Sequence, residues 1–281
     1  MDRIKSIFIT AATMFWMGTG IWALIEGITH NDWHEGLLLS AFLPISFLAT
    51  LFIFTIARAP RSLKVILLFS VAGVSWEWLV MNIEGASMLP FILSISSLTL
   101  WLAYIHWYSR FPNRKSSLLK KGSQLPNLSF IGKDGKEVKT DDFVGKKLIY
   151  LFYRGNWCPL CMSQIKEISA QYRELNDLGA EVLLISPQPH HFTIKLAKKM
   201  DVPFWFLQDE DGKVAKQLGL YVKAGTPLGM EMFGFDSDTV LPTVIICDES
   251  GKIIYADQTD NYRVRPEPET FMKVLKGEVI V

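Results

Sequence analysis

The sequence predicts a chain in two parts: four transmembrane α-helices, then an α/β domain. Three observations carry that expectation. Acids and bases are scarce early on: histidine aside, only Glu26, Asp32 and Glu35 occur from Ser6 to Ala57, and only Glu77 and Glu84 from Val65 to Ser109. Nearly all the remaining charge follows Arg110. Beyond that point, short apolar runs alternate with amphipathic ones, the pattern of strands and helices packed around one sheet. The expected boundaries are a membrane region over 1–108, a basic linker over 109–126 and a folded domain over 127–281. A net charge of +1 over 281 residues gives no basis for a nucleic-acid partner.

Four apolar runs, roughly Ile7–Ile28, Leu37–Ala57, Val65–Met81 and Met88–Tyr108, come close to the ~20 residues a spanning helix needs. The first is too long for a signal peptide, lacks a small-residue cleavage site and is followed by three more runs. Lysine and arginine sort by loop. Arg3 and Lys5 precede the first run, Arg58, Arg61 and Lys64 follow the second, and Arg110, Arg114, Lys115, Lys120 and Lys121 follow the fourth. The loops "THNDWHEG" and "NIEGAS" contain none. The positive-inside rule then places both termini and the α/β domain on the cytoplasmic side of an inner or plasma membrane. Trp101, Tyr104, Trp107 and Tyr108 fit an interfacial aromatic belt. Glu77 interrupts the third run. It reads either as a site for a cation, proton or quinone headgroup or as a carboxylate hydrogen-bonded inside the bundle.

The segment 109–128 is basic and punctuated by Pro, Gly and Ser, as in a membrane-surface linker drawn to anionic headgroups. After it, "GKDG" at 132–135 marks a turn between short strands. Residues 146–153 and 180–186 read as buried strands, 204–209 as a short strand, and 243–248 with 252–257 as a hairpin. Helices are expected from Cys158 to about Leu178, from Phe192 to Met200, over 213–220 and from Glu267 to Leu275. The expected result is three layers around a largely buried sheet.

All three cysteines, Cys158, Cys161 and Cys247, lie in the second part. An odd count with one close pair suits a reducing compartment with one working pair rather than a disulfide framework. The stretch "RGNWCPLC" follows a buried strand and opens a helix. There the helix N-terminus favours an anion, so Cys158 is expected to ionise more readily than a free thiol, with Arg154 adding positive charge. Cys161, one turn on, shares its helix face and is expected to be the more buried partner. Pro159 costs nothing in the first helical turn. A structural metal site needs four ligands, and one CxxC supplies two, so neither metal nor cofactor is expected. Cys247, inside an apolar strand, reads as a buried structural thiol. Gln188, His190 and His191 fall just past a strand end, where α/β folds place their sites, although loop polarity explains them equally well. The Gly-rich 223–238 segment reads as a lid over Cys158 or as disorder.

The blocks "LIYLFYRGNWCPLC", "GAEVLLISPQ", "VPFWFLQDEDGKVAKQLGL" and "LPTVIICDESGKIIYADQTDNYRVRPEPETF" resemble the peroxiredoxin-like branch of the alkyl hydroperoxide reductase/thiol-specific antioxidant family, within the thioredoxin fold. The resemblance covers about residues 122–281, with the "RGNWCPLC" block and the "RPEPE" tail its most specific parts. The membrane region lies outside it. The resemblance implies a peroxidatic Cys158, a resolving Cys161, a thioredoxin-like Trp157 and a cis-proline at Pro242 facing the cysteines. It further implies a hydroperoxide or protein-disulfide substrate and a thioredoxin- or glutaredoxin-type reductant. Two departures stand out. Gly155 occupies the position of a peroxide-holding threonine, and Leu241-Pro242-Thr243 replaces a second arginine before the later strand. Thiol–disulfide reduction, electron relay to a membrane partner and a non-enzymatic redox sensor are the rival expectations.

Overall fold

The computed structural model describes residues 2–111, 114 and 116–278. Two compact units emerge: Ile4–Thr55 with Ala59–Arg110, and Phe111–Val281 with the short stretches Met1–Arg3 and Ile56–Arg58.

The first unit holds α1 (Asp2–His30), α2 (Glu35–Ile53), α3 (Lys64–Glu84) and α4 (Met88–Ala103), the last continued by a π-helical turn over Tyr104–Tyr108. All four helical stretches, 19 to 28 residues long, are long and apolar enough to cross a membrane. Their outer surface is apolar: Phe52, Ile53 and Ile83 are 71%, 73% and 77% exposed. Their interior is lined with small groups, including buried Ser40, Ser70, Ser94 and Ser97. Helices α2 and α3 approach so closely that a Cβ on Gly36 would collide with the Gly73 carbonyl oxygen. Glu77 is buried, and its Oε1 accepts the Leu37 backbone N–H at 2.9 Å. It thereby satisfies one of the orphan donors in the first turn of α2, the second of the two readings offered by the sequence. The expected aromatic belt is corrected. Trp101, Tyr104 and Tyr108 are buried as a continuous stack, centroids 5.0 and 5.5 Å apart, because their helix turns that stripe inward.

The second unit is built on a seven-stranded sheet in the order β2-β1-β5-β4-β3-β8-β9. Its strands are β1 (Ser129–Gly132), β2 (Glu137–Lys139), β3 (Lys147–Phe152), β4 (Ala180–Ser186), β5 (Trp205–Gln208), β8 (Thr243–Cys247) and β9 (Ile253–Asp257). The central pairs β3–β4 and β4–β5 are parallel, while β3–β8 and β8–β9 are antiparallel. Strands β6 (Tyr221–Val222) and β7 (Thr239–Val240) form a separate short pair. The helices are α5 (Pro159–Ala170), α6 (Tyr172–Asp177), α7 (His190–Met200), α8 (Lys213–Leu218) and α9 (Pro268–Leu275). The β3-α5-β4 crossover followed by the β8–β9 hairpin and α9 is the thioredoxin-fold core.

Strand alternation explains why both sheet faces are covered. Leu148, Tyr150 and Phe152 of β3 join one core with Val214, Ala215 and Leu218 of α8. Ile149 and Leu151 point the other way and are equally buried. The helix expected from Cys158 to Leu178 breaks at Gln171, whose φ and ψ are −110° and 21°. His190 and His191, expected in a loop, begin α7.

The stretch expected as a surface linker is held against the sheet edge. Gly122 donates to the Ile253 carbonyl, Ile253 donates back to Ser123, and Ser116 N–H reaches Gln258 Oε1 at 2.6 Å. Leu119 is buried there. Apolar leucines interleaved with the lysines drive this packing, and the basic composition masked them. Lys115, counted in the charge argument, lies outside the described residues.

Candidate active site

The site forms where β3 and β4 end, at the position open α/β sheets reserve for chemistry. After Phe152 the chain runs through Tyr153 and Arg154 and turns at Gly155. Cys158 becomes the N-cap of α5, with Pro159 in its first turn. Gln188, just past β4, clamps this loop. Its Oε1 accepts the Asn156 N–H at 2.8 Å, and its Nε2 donates to Tyr153 Oη and Asn156 Oδ1, each at 3.0 Å. Asn156 Nδ2 in turn donates to the Phe192 carbonyl. Thr239 Oγ1 fixes the Arg154 carbonyl at 2.8 Å.

Both cysteines are reduced and buried, Cys158 only 2% exposed and Cys161 0%. The expected contrast between an exposed and a buried sulfur is therefore corrected: both are buried. Arg265 sits against the pair. Its Nη2 lies 3.4 Å from Cys161 Sγ and 3.9 Å from Cys158 Sγ. Its Nη1 donates to Gln164 Oε1 at 2.9 Å, and its Nε to the Tyr262 carbonyl at 3.1 Å. This side chain is buried too. It comes from the turn between β9 and α9, the "RPEPE" tail. Sequence reading marked that tail without singling out Arg265; the arginine that opens the proline- and glutamate-rich run 266–269 was the available signal.

The electrostatics of the pair also differ from expectation. Burial and the neighbouring Cys161 push the Cys158 thiol well up. Burial opposes ionisation of Cys161 as well. There, however, the Cys158 thiol, the Arg265 guanidinium and the Arg154 backbone N–H stabilise the thiolate and bring it down to about 5. One negative charge is thus shared across an S–H···S contact and rests on the sulfur nearer Arg265. The helix N-terminus favours an anion, but desolvation of Cys158 outweighs it.

Arg154 is brought to the site as expected: its positive charge favours the Cys158 thiolate, though burial outweighs it, and its side chain has a further task. The guanidinium donates to the Gly225 carbonyl and lies over the Trp157 ring, 4.7 Å from its centroid. That contact ties the 223–238 segment, closed at its base by β6–β7, to the cysteine loop. Gly155 explains the missing threonine. Its φ is +146°, and a Cβ there would lie 2.7 Å from Trp157 Nε1. Pro242 is a correction: no peptide bond is cis among the described residues, so Leu241–Pro242 is trans. Leu241 N–H is engaged by the Leu220 carbonyl and the Pro242 carbonyl by Arg114, which leads the chain extended into β8 in the lower-energy isomer. Cys247 is buried in β8, and burial pushes its thiol up to about 12. Among the described residues no cluster of three or more His, Cys, Asp or Glu could hold a metal ion.

A dithiol at a helix N-terminus, backed by a buried guanidinium, can exchange two electrons with peroxide or disulfide. Comparison with known proteins narrows the choice. Residues 121–256 match the AhpC/TSA family model. The chain is 32% identical over 137 residues to a chloroplastic peroxiredoxin Q from Sedum lineare, covering 47% of this chain and 74% of the relative. It is 26% identical over 133 residues to peroxiredoxin Bcp from Bacillus subtilis, covering 47% and 81%. A crystal structure of peroxidoxin BcpB from Mycobacterium tuberculosis superposes with a TM-score of 0.48 at 16% identity, over 57% of this chain and 97% of that one. The family match starts after α4 and its π-turn, so the four helices stand outside it. The chain belongs to the AhpC/TSA family and is a peroxiredoxin-type thiol peroxidase.

Proposed function

We propose that this thiol peroxidase is held in a membrane by its four helices and reduces hydroperoxides through Cys158 and Cys161. The observation that carries the reading is the buried dithiol with Arg265 against both sulfurs. As Cys158 attacks the O–O bond, its proton passes to the Cys161 thiolate. The terminal OH goes to Cys158 as a sulfenic acid, and the departing alkoxide, or hydroxide from hydrogen peroxide, takes that proton from Cys161 and leaves as alcohol or water. The Cys161 thiolate then attacks the Cys158 sulfur, the hydroxyl leaves as water with a proton from solvent, and a disulfide forms. A thioredoxin- or glutaredoxin-type dithiol returns two electrons and restores the pair. Because both sulfurs are buried, the first turn of α5 must open for substrate and reductant to reach them.

The membrane part of the proposal rests on the greasy exterior and small-residue interior of the helical unit, the reverse of a water-soluble bundle. The distribution of lysine and arginine supports a cytoplasmic α/β domain, and a bilayer setting favours lipid hydroperoxides as substrates. Treating the reduced full chain with one equivalent of hydroperoxide tests the chemistry. Mass spectrometry should find a Cys158–Cys161 disulfide in the parent and a sulfenic acid on Cys158 in Cys161→Ser. Persistence of both thiols through that treatment would remove the peroxidase mechanism and leave the thiol–disulfide reductase reading, which the CxxC favours.

A further inference from the structure

Arg265 is a buried cation whose direct partners are two neutral carbonyl oxygens and the two sulfurs. Asp257 acts on it only through space, and Arg114 nearby adds positive charge. Among the described residues, the one anion in contact with the guanidinium is therefore the thiolate of the dithiol. When the pair is oxidised that anion disappears, and a desolvated positive charge is left facing a neutral disulfide. An uncompensated buried charge is costly, whereas a paired and hydrogen-bonded one is not. The site therefore stabilises the reduced state over the oxidised one.

We infer that the Cys158–Cys161 disulfide is a strong oxidant, able to pass its oxidising equivalents to dithiols that thioredoxin's own disulfide would leave reduced. The chain would then work as a peroxide-driven disulfide donor to protein or peptide dithiols as well as a peroxide scavenger. This rests on the Cys158–Cys161 pairing proposed above. The exchange balances. A partner thiolate attacks the Cys158 sulfur, the S–S bond breaks, and Cys161 leaves as a thiolate that Arg265, 3.4 Å away, receives. The partner's second thiol then displaces Cys158 from the mixed disulfide, leaving the partner oxidised by two electrons and the enzyme pair reduced. A low-pKa leaving thiol speeds the first of these steps. Gln164 and the Tyr262 carbonyl fix the guanidinium where that thiolate is released.

The test is the redox equilibrium of the full chain in detergent with reduced and oxidised glutathione, scored by alkylation of the free thiols. A thioredoxin is measured alongside. The expected result is an equilibrium constant favouring the dithiol at least tenfold more than thioredoxin's. Arg265→Met should shift it back tenfold or more, each factor of ten being about 30 mV for this couple. A parent no more oxidising than thioredoxin overturns the inference without need of any variant, as does an Arg265→Met variant with an unchanged constant. Glutathione or diamide can form the disulfide without peroxide. An oxidising pair that peroxide fails to generate would therefore defeat the peroxidase mechanism and the peroxide drive, and leave standing the inference that the disulfide is a strong oxidant.

Discussion

At Gly155 one φ angle of +146° decides what the active-site loop can contain. The threonine that the family resemblance leads one to expect would place a Cβ against Trp157 in a backbone region that non-glycine residues enter at a cost of about 1–3 kcal/mol. Gly155→Thr should therefore lower the melting temperature and the peroxidase rate of the full chain. A rate above the parent's would show that the loop adapts. Cys161 sets a second expectation. With its pKa near 5 and Cys158 held well above 9, the folded pair binds one proton between pH 5 and 9 where the unfolded pair binds two. Reduced-state stability should rise with pH across that window. One thiolate should appear in ultraviolet absorbance as pH passes 5, and be missing in Cys161→Ser. The cysteine pair and Arg154 were legible in the sequence because strand–CxxC–helix is a local pattern. Arg265 was not, because about a hundred residues separate it from the sulfurs and only the sheet's topology brings them together. The trans bond at Pro242 was equally hidden, since no local signal distinguishes it from the cis form.

Among elements, the parallel strands were the easiest to read. The stretch 180–186 is β4 to the residue, because a strand buried on both faces is a nearly continuous apolar run, here set between Gly179 and Pro187. Helix ends and the break at Gln171 were harder, as periodicity runs through a local kink without registering it. The 223–238 segment is an ordered loop closed by β6–β7 and tethered to the cysteine loop through Arg154. Gln188→Leu would leave the Asn156 N–H unpaired and take one partner from the Tyr153 hydroxyl, and should cost about 1–3 kcal/mol for the orphaned N–H. The expected readouts are a lower melting temperature and faster alkylation of Cys158 as its loop opens. Within the helical unit Glu77 caps α2 through Leu37. Glu77→Gln keeps an acceptor and should leave thermal stability in detergent close to the parent's. Glu77→Leu should lower it, and equal losses in both variants would mean that the negative charge itself is needed.

For the whole molecule, composition separates an apolar stretch from a charged one, and the structure divides into two units at Arg110/Phe111. The basic stretch that reads as a linker carries leucines that pack it against the sheet. Orientation rests on lysine and arginine counts, so the proposal of a cytoplasmic α/β unit has its own test. A membrane-impermeant thiol reagent should label the cysteines only after the cytoplasmic face is opened, and labelling of intact cells would reverse the assignment. The central claim is that this chain reduces hydroperoxides with Cys158. Its most direct test is stopped-flow consumption of hydrogen peroxide and a lipid hydroperoxide by the reduced full chain in detergent, beside Cys158→Ser. Rapid consumption by the parent, one disulfide per peroxide, with the variant at background, is the predicted result. Equal, slow rates from both proteins would contradict it.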